Sequence, residues 1–351
     1  VQPLYFLCWF LMLYLFLTIA EIPYLAWQSE ITRDYQTRSK VSGFRTAFYS
    51  AGGLLFAASP MLPMFDTHEM TPAVMKFLAL VLAVSLPAFC LIAAAFAPRG
   101  KPVAVKTEGT IWIVLRDLIR NKPFMIFTAS YLLTGLGAGM QVGLVFLYFD
   151  TFLGIGNRFP EIMFVMSAVP MLSIPVWLRL INKFGKHRAF AGGRVLSGVF
   201  TLGLITLEPG PSVFPAFMAI WICMMSMYSA IMIISPAIVG DIVDYDLLKS
   251  GRNRAGQYNA VYLLVTKVSF GIGAGFAFYL VDIFGYDTAA TIHDRTSTIG
   301  MWTAMIILPA VCYFISSVIM WFFPIDERRH TIIRRRIEMR TQRAKKNMEM
   351  Q

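Results

Sequence analysis

The 351-residue chain is 57% hydrophobic and 15% charged, whereas a soluble globular domain is about 25% charged. This composition excludes an ordinary soluble fold and indicates a polytopic membrane protein. The formal net charge of +11 comes from basic residues that are spread over loops between apolar runs, so no nucleic-acid partner is predicted.

A spanning helix needs about 20 mostly apolar residues. Nine stretches meet this condition, which predicts an all-α, polytopic helix bundle. They are 3–29, 44–63, 74–97, 124–152, 160–181, 188–207, 213–240, 257–283 and 297–323.

Lys and Arg are concentrated in every second loop between these spans. Basic loops face the cytoplasm, so the C-terminus is predicted inside and the first residue outside, in a bacterial-type inner (plasma) membrane. The stretch 98–123 is the longest cytoplasmic connection and is predicted to link two bundles. The domains are then a partial three-helix bundle at 1–97, this linker, a six-helix bundle at 124–323 and a basic cytoplasmic tail at 324–351.

A division into three and six spans is uneven for a transporter built from three-helix repeats. The chain also begins with Val1 rather than Met. We therefore expect three further helices upstream, which would give two bundles of six helices.

Glu21 lies in the first predicted span, two residues before Pro23. It is about eight residues, or roughly 12 Å, from the end of that span. A charge at this depth usually marks an ion or solute path, so Glu21 is predicted to bind a cation or a proton, and Pro23 is expected to open the helix locally. The alternative is a protonated Glu packed between helices, or one nearer the interface.

Lys267 is a second charge inside a span, with Tyr258 and Tyr262 at helical spacing before it. A buried ammonium needs a carboxylate or polar partner. Lys267 is predicted to serve the solute or cation site. The alternative is an ion pair that only holds the bundle together.

Charged residues are dense where two spans end, in "SEITRDYQTRSKVSGFR" and in "VGDIVDYDLLKSGRNRAGQY". Ion pairs at helix ends can close one side of a transporter and break when it opens. The predicted cytoplasmic gate comprises Glu30, Asp34, Arg38, Asp241, Asp244, Lys249, Arg252 and Arg254. In the second stretch, Asp241, Asp244 and Asp246 are predicted to face Lys249, Arg252 and Arg254 across a turn that contains glycine. Solvated loop charge is the alternative.

Glycines at a spacing of four residues are predicted to be helix contacts. They are Gly135, Gly139 and Gly143 in the fourth span, and Gly271 and Gly275 in the eighth. The four cysteines and four histidines show no ligand spacing, so neither a metal site nor a cofactor is predicted.

These stretches resemble one family. "EIPYLAWQSEITRDYQTRSKVSGFR" is similar to the fourth helix and following loop of the glycoside–pentoside–hexuronide:cation symporters, the melibiose-carrier group of the major facilitator superfamily. "DIVDYDLLKSGRNRAGQY" resembles the segment after the tenth helix of that family, and Lys267 falls at its eleventh-helix lysine.

The resemblance implies a major facilitator fold of which the first three helices are absent here. It also implies that Glu21 is a cation ligand whose partner acids lie upstream. Solute-binding or coupling candidates are Lys267, Arg45, Tyr24, Trp27, Tyr258 and Tyr262. The aromatic that stacks on sugar in melibiose carriers would fall at Leu25, with Trp27 two places on, so the sugar platform of those carriers is not reproduced.

The sequence thus predicts a monomeric secondary transporter that couples a monovalent cation, sodium or proton, to uptake of a sugar, glycoside or sugar acid. A lipid or amphiphile carrier on the same scaffold and a non-transporting sensor or scaffold remain alternatives. A membrane enzyme is disfavoured, because no nucleophile–base pair or H-E-x-x-H motif occurs.

Overall fold

The computed structural model describes residues 3–31, 35–65, 71–97, 116–210, 212–286 and 294–349. Within these ranges the chain forms helices and no strand. The helices are α1 (Pro3–Ile31), α2 (Tyr35–Ala58), α3 (Pro72–Phe96), α4 (Lys122–Leu147), α5 (Phe159–Phe184), α6 (Lys186–Gly203), α7 (Phe214–Ser250), α8 (Ala255–Ile283), α9 (Arg295–Trp302), α10 (Leu308–Trp321) and α11 (Glu327–Glu349).

Eight helical stretches in the described ranges are long and apolar enough to cross a membrane. π-helical turns extend α4 to Phe152 and join α9 to α10 as one span. The all-α membrane bundle predicted from the sequence is therefore confirmed. The predicted span at 44–63 corresponds to α2, which is not among these eight stretches; Arg45 and several Ser and Gly residues make even its C-terminal 18 residues only weakly apolar.

Polar side chains and glycines fix the helix ends. The side chain of Asn121 accepts a hydrogen bond from the Phe124 amide at the start of α4, and that of Asp294 accepts one from the Ser297 amide at the start of α9. These bonds satisfy amides that have no partner inside the helix. α7 ends at Gly251, whose φ of 71° is left-handed and favours glycine.

α7 is longer than its apolar run indicates. The prediction ended this span at 240, but the helix continues to Ser250. Asp241 and Asp244 are therefore on the helix, where both are buried, and the prediction that they face basic residues across a turn is wrong for these two. This extension positions the charged cluster described below.

Close contact between α4 and α8 depends on glycines. A Cβ added at Gly135, Gly139 or Gly143 would meet Ser269, Phe270 or Ala274 of α8, so these three are helix contacts as predicted. Gly271 and Gly275 are not, because a Cβ at either would meet nothing within 4 Å. The glycine of α8 that contacts α4 is Gly273, whose Cβ would collide with the Leu136 carbonyl oxygen.

α1 and α2 pack beside the second group of helices, α4 to α10. α1 stays helical through Pro23, so the predicted local opening of the helix is not seen. Gln28 of α1 donates a 2.8 Å hydrogen bond to Ser42 of α2. A Cβ on Gly43 of α2 would be 3.2 Å from Ile174 of α5. α2 therefore lies where the two groups of helices meet, and α1 and α2 carry their charged residues to that boundary.

Candidate transport site

The most extensive charged group in the described part of the chain lies where α2, α6, α7 and α11 meet. We call it the Arg38 cluster, and it comprises Arg38, Lys186, Asp241, Asp244 and His330. Arg38 donates hydrogen bonds to Asp241 at 2.8 Å and to Asp244 at 2.9 Å. All five side chains are buried, so the charges of the cluster are satisfied mainly by one another.

Two further members of the cluster were not predicted from the sequence. Lys186 begins α6 and donates to Asp241 at 2.7 Å. His330 lies in the first turns of α11, with its Nε2 3.0 Å from Asp244 and 3.5 Å from Asp241. In the sequence, Lys186 and His330 resemble the other basic residues of cytoplasmic loops. No local pattern distinguishes a loop lysine from one that enters a buried cluster.

The local sequence explains how the cluster forms. Asp241 and Asp244 are three residues apart and so lie on one face of α7. Gly240 leaves room for Arg38, since a Cβ there would lie 2.8 Å from the Arg38 Nε. Arg38 and Lys186 balance the two carboxylates in formal charge, which reduces the cost of burying all four groups.

A second ionic group, the Arg254 cluster, comprises Asp117, Asn121, Asp246, Arg254 and Tyr258. Arg254 donates to Asp117 at 2.7 Å and lies 3.9 Å from Asp246. Asn121 donates to the hydroxyl of Tyr258 at 2.7 Å. The predicted pairing across the α7–α8 turn therefore exists for Asp246 and Arg254. Tyr258 belongs to this cluster rather than to the surroundings of Lys267.

Four further residues were predicted for the gate. Lys249 and Arg252 are exposed. Asp34 and the side chain of Glu30 lie outside the described residues.

Glu21 faces α2 from the middle of α1. Its carboxylate is 3.8 Å from the Nη2 of Arg45, and the two side chains are 35% and 28% exposed. This separation is longer than a hydrogen bond. The guanidinium of Arg45 also lies 5.7 Å from the centre of the Tyr24 ring, and the rings of Tyr24 and Trp27 are 6.3 Å apart.

Lys267 reaches from α8 to the same helix. Its ammonium donates a hydrogen bond to Thr18 of α1 and lies 5.8 Å from the centre of the Tyr14 ring. Thr18 and Glu21 are three residues apart, so they occupy neighbouring positions on one face of α1. Both charges predicted inside the membrane therefore contact a residue of an adjacent helix.

An aromatic group lies beside these charges. The hydroxyls of Tyr131 and Tyr262 are hydrogen bonded at 3.1 Å, and Phe127 stacks on Tyr131 at 5.5 Å. Tyr262 lies on α8, five residues before Lys267, and Lys267 is hydrogen bonded to Thr18, one turn before Glu21 on α1. Among the described residues, no group of three or more His, Cys, Asp or Glu could hold a metal ion.

The chain also matches a known protein family. A family profile described as "MFS/sugar transport protein" matches residues 1–327. The chain belongs to this family. The family includes cation symporters of the kind that the sequence resembled, and the relatives of the chain are transporters rather than enzymes.

Three relatives illustrate the range of the family. The inner membrane symporter YicJ of Escherichia coli is 24% identical over 310 residues, covering 88% of this chain and 66% of that protein. The glucuronide carrier protein homolog of E. coli is 20% identical over 89% of this chain and 68% of that protein. The sodium-dependent lysophosphatidylcholine symporter 1 of Xenopus tropicalis is 20% identical over 63% of this chain and 42% of that protein. The chain therefore spans about two fifths to two thirds of the length of these relatives.

Proposed function

We propose that the chain is part of a cation-coupled symporter that carries a sugar, glycoside or sugar acid. The observation that supports this most strongly is the Arg38 cluster. It joins α2 of the first bundle to α6 and α7 of the second through a small set of buried ion pairs. Such pairs hold two rigid bodies together in one state and separate as a unit in another.

The cluster is proposed to be the cytoplasmic gate in its closed state. The basic loops and tail favour a cytoplasmic position for this end of the bundle by the positive-inside rule. α11 contributes to the closure, because His330 contacts Asp244 and Gln36 of α2 donates to Glu327 at 3.0 Å. Opening therefore requires α2 to leave both α7 and α11.

Glu21 is the proposed cation ligand. Arg45 is close enough to balance its charge but is not hydrogen bonded to it, so a sodium ion or proton can replace the arginine without breaking a short bond. The proposed solute contacts are Tyr24, Trp27, Tyr262, Lys267 and Arg45. Arg45 is 3.8 Å from Glu21, and Lys267 is hydrogen bonded to Thr18, one turn before Glu21 on α1. The substrate therefore meets the ion site, as coupling requires.

A lipid or amphiphile carrier is the second candidate, favoured by the similarity to the sodium-dependent lysophosphatidylcholine symporter. In that case the ammonium of Lys267 would contact the headgroup.

Uptake into proteoliposomes tests both candidates. The protein that contains this chain is reconstituted and given a labelled neutral glycoside, a hexuronate or a lysophospholipid, under an imposed sodium or proton gradient. We expect gradient-driven accumulation of a sugar or sugar acid that an ionophore abolishes. Accumulation of the lysophospholipid alone, dependent on acyl-chain length and not competed by sugars, would support the second candidate. Absence of gradient-driven uptake of all three would contradict both.

A further inference from the structure

Arg194 is a buried cation that the site described above does not use. It lies on α6, inside the second bundle, and is 3% exposed. Its Nη2 donates to the Met227 carbonyl oxygen at a long 3.5 Å, and its guanidinium lies 4.8 Å from the centre of the Tyr313 ring. Arg194 is in none of the ion pairs within 4 Å among the described residues, and its Nε has no hydrogen-bond acceptor there.

Burying this guanidinium without a counter-charge lowers the stability of the fold unless the charge has a role. A guanidinium stays protonated in proteins and offers five N–H donors. A buried charge normally has a partner of opposite charge, and an apolar residue of similar volume usually packs at least as stably in such a position. Packing alone therefore does not explain an arginine at this place.

We propose that the guanidinium of Arg194 binds an anionic group of the solute, a carboxylate or a phosphate. The planar fork of arginine matches both of these groups with two parallel hydrogen bonds. The inference rests on the proposed transport function, and it adds Arg194 to Lys267 and Arg45 as a third cation for the solute.

The surroundings hold the guanidinium in place. The hydroxyl of Tyr313 donates to Gln141 at 2.7 Å, and the amide of Gln141 donates to Thr201 at 3.1 Å. The aromatic ring that faces Arg194 is therefore fixed by hydrogen bonds at its far end. A side chain held in this way loses little freedom when it binds a ligand.

Tyrosines connect Arg194 to the site between the bundles. Thr134 of α4 is hydrogen bonded at 2.8 Å to Ser316, one turn after Tyr313 on α10, and Tyr131, one turn before Thr134, bonds through its hydroxyl to that of Tyr262. Tyr262 lies on α8, the helix whose Lys267 is hydrogen bonded to Thr18 of α1. An anionic group enters this region from the Glu21 side when the Tyr131 and Tyr262 rings separate, and it then meets the fork of Arg194.

Calorimetric binding to the purified protein tests the inference with two matched pairs of probes. Methyl glucuronide has a carboxylate where methyl glucoside has a hydroxymethyl group. Glycerol 3-phosphate has a phosphate where glycerol has a hydroxyl group. We expect at least one anionic probe to bind tenfold or more tightly than its neutral partner. The pair that shows the difference identifies the anionic group. If, in both pairs, the anionic and the neutral probe bind equally well or do not bind, the inference is overturned by the wild-type protein alone.

The variant Arg194→Met removes the charge and keeps a long apolar side chain, and Arg188→Met removes an exposed arginine of the same helix as the control. We expect Arg194→Met to lose at least tenfold in anion affinity and to melt at an equal or higher temperature than the wild type. Arg188→Met should leave anion binding unchanged. If the Met variant does not fold, Arg194→Lys keeps the charge without the fork, and an intermediate affinity is expected. Anion binding that survives both changes would contradict the inference.

The binding result and the uptake result are independent. Anion binding that depends on Arg194 without gradient-driven uptake would contradict the proposed function and leave the site in place. Gradient-driven uptake together with anion binding that does not depend on Arg194 would support the proposed function and contradict the Arg194 site.

Discussion

The substitution Asp241→Asn is expected to lower the free energy of unfolding by about 3–5 kcal/mol, the usual cost of removing one partner from a buried ion pair. Asp241 accepts from both Arg38 and Lys186 and is 2% exposed. Neutralising it leaves two buried cations with Asp244 as the main counter-charge. Thermal unfolding of the protein in detergent or nanodiscs measures the effect.

Controls separate the charge effect from general damage. Glu161 forms an exposed pair with Arg158 at 3.1 Å, and such pairs contribute about 0–1 kcal/mol, so Glu161→Gln should be nearly neutral. In the double variant Asp241→Asn, Lys186→Met the excess positive charge is removed again. The double variant should therefore be less destabilised than the sum of the two single changes. Strict additivity would show that Lys186 and Asp241 do not interact in the folded protein.

The same substitution has a consequence for transport. Without Asp241 the closed state of the gate loses the group that joins α2 to α6, while the open state loses nothing comparable. The equilibrium between the two states should therefore shift toward the open one, and solute accumulation should fall even in the molecules that remain folded.

The substitution Glu21→Gln is expected to abolish accumulation of solute against a gradient while leaving exchange of solute across the membrane intact. Gln keeps the size of the side chain but removes the negative charge that a sodium ion or proton would neutralise. Gradient-driven uptake and solute counterflow, measured on the same proteoliposomes, give the two readouts. Glu161→Gln serves again as the exposed control, and sodium- or proton-dependent uptake retained by Glu21→Gln would show that the cation binds elsewhere.

The sequence predicts the membrane bundle well because hydrophobic runs of about 20 residues are local signals. The end of α7 is not marked by a local signal of this kind. Asp241 and Asp244 resemble the start of a loop, and only Arg38 and Lys186 make them acceptable on a buried helix. Each of those partners comes from another part of the chain, so the extension of α7 could not be inferred from its own residues.

The site residues also divide into those that the sequence indicates and those that it does not. Glu21, Arg38, Asp241 and Lys267 stand out because charges within or beside apolar runs are rare. Lys186 and His330 do not stand out, because basic residues are expected in every cytoplasmic loop. The α8 glycines show a related limit, since spacing alone favoured Gly271 and Gly275, whereas the helix is rotated so that Gly273 contacts α4.

The central claim is that the Arg38 cluster opens and closes as the two bundles rock. Spin labels at Lys40 of α2 and Lys249 of α7, both exposed, report the separation of these helices without altering the cluster, once the four native cysteines are replaced. Electron–electron double resonance in nanodiscs should give one short distance in the resting protein. A second, longer distance should appear when sodium or proton and solute are added, and its population should increase with their concentration. A single unchanged distance under all these conditions, in protein that still transports, would contradict the account.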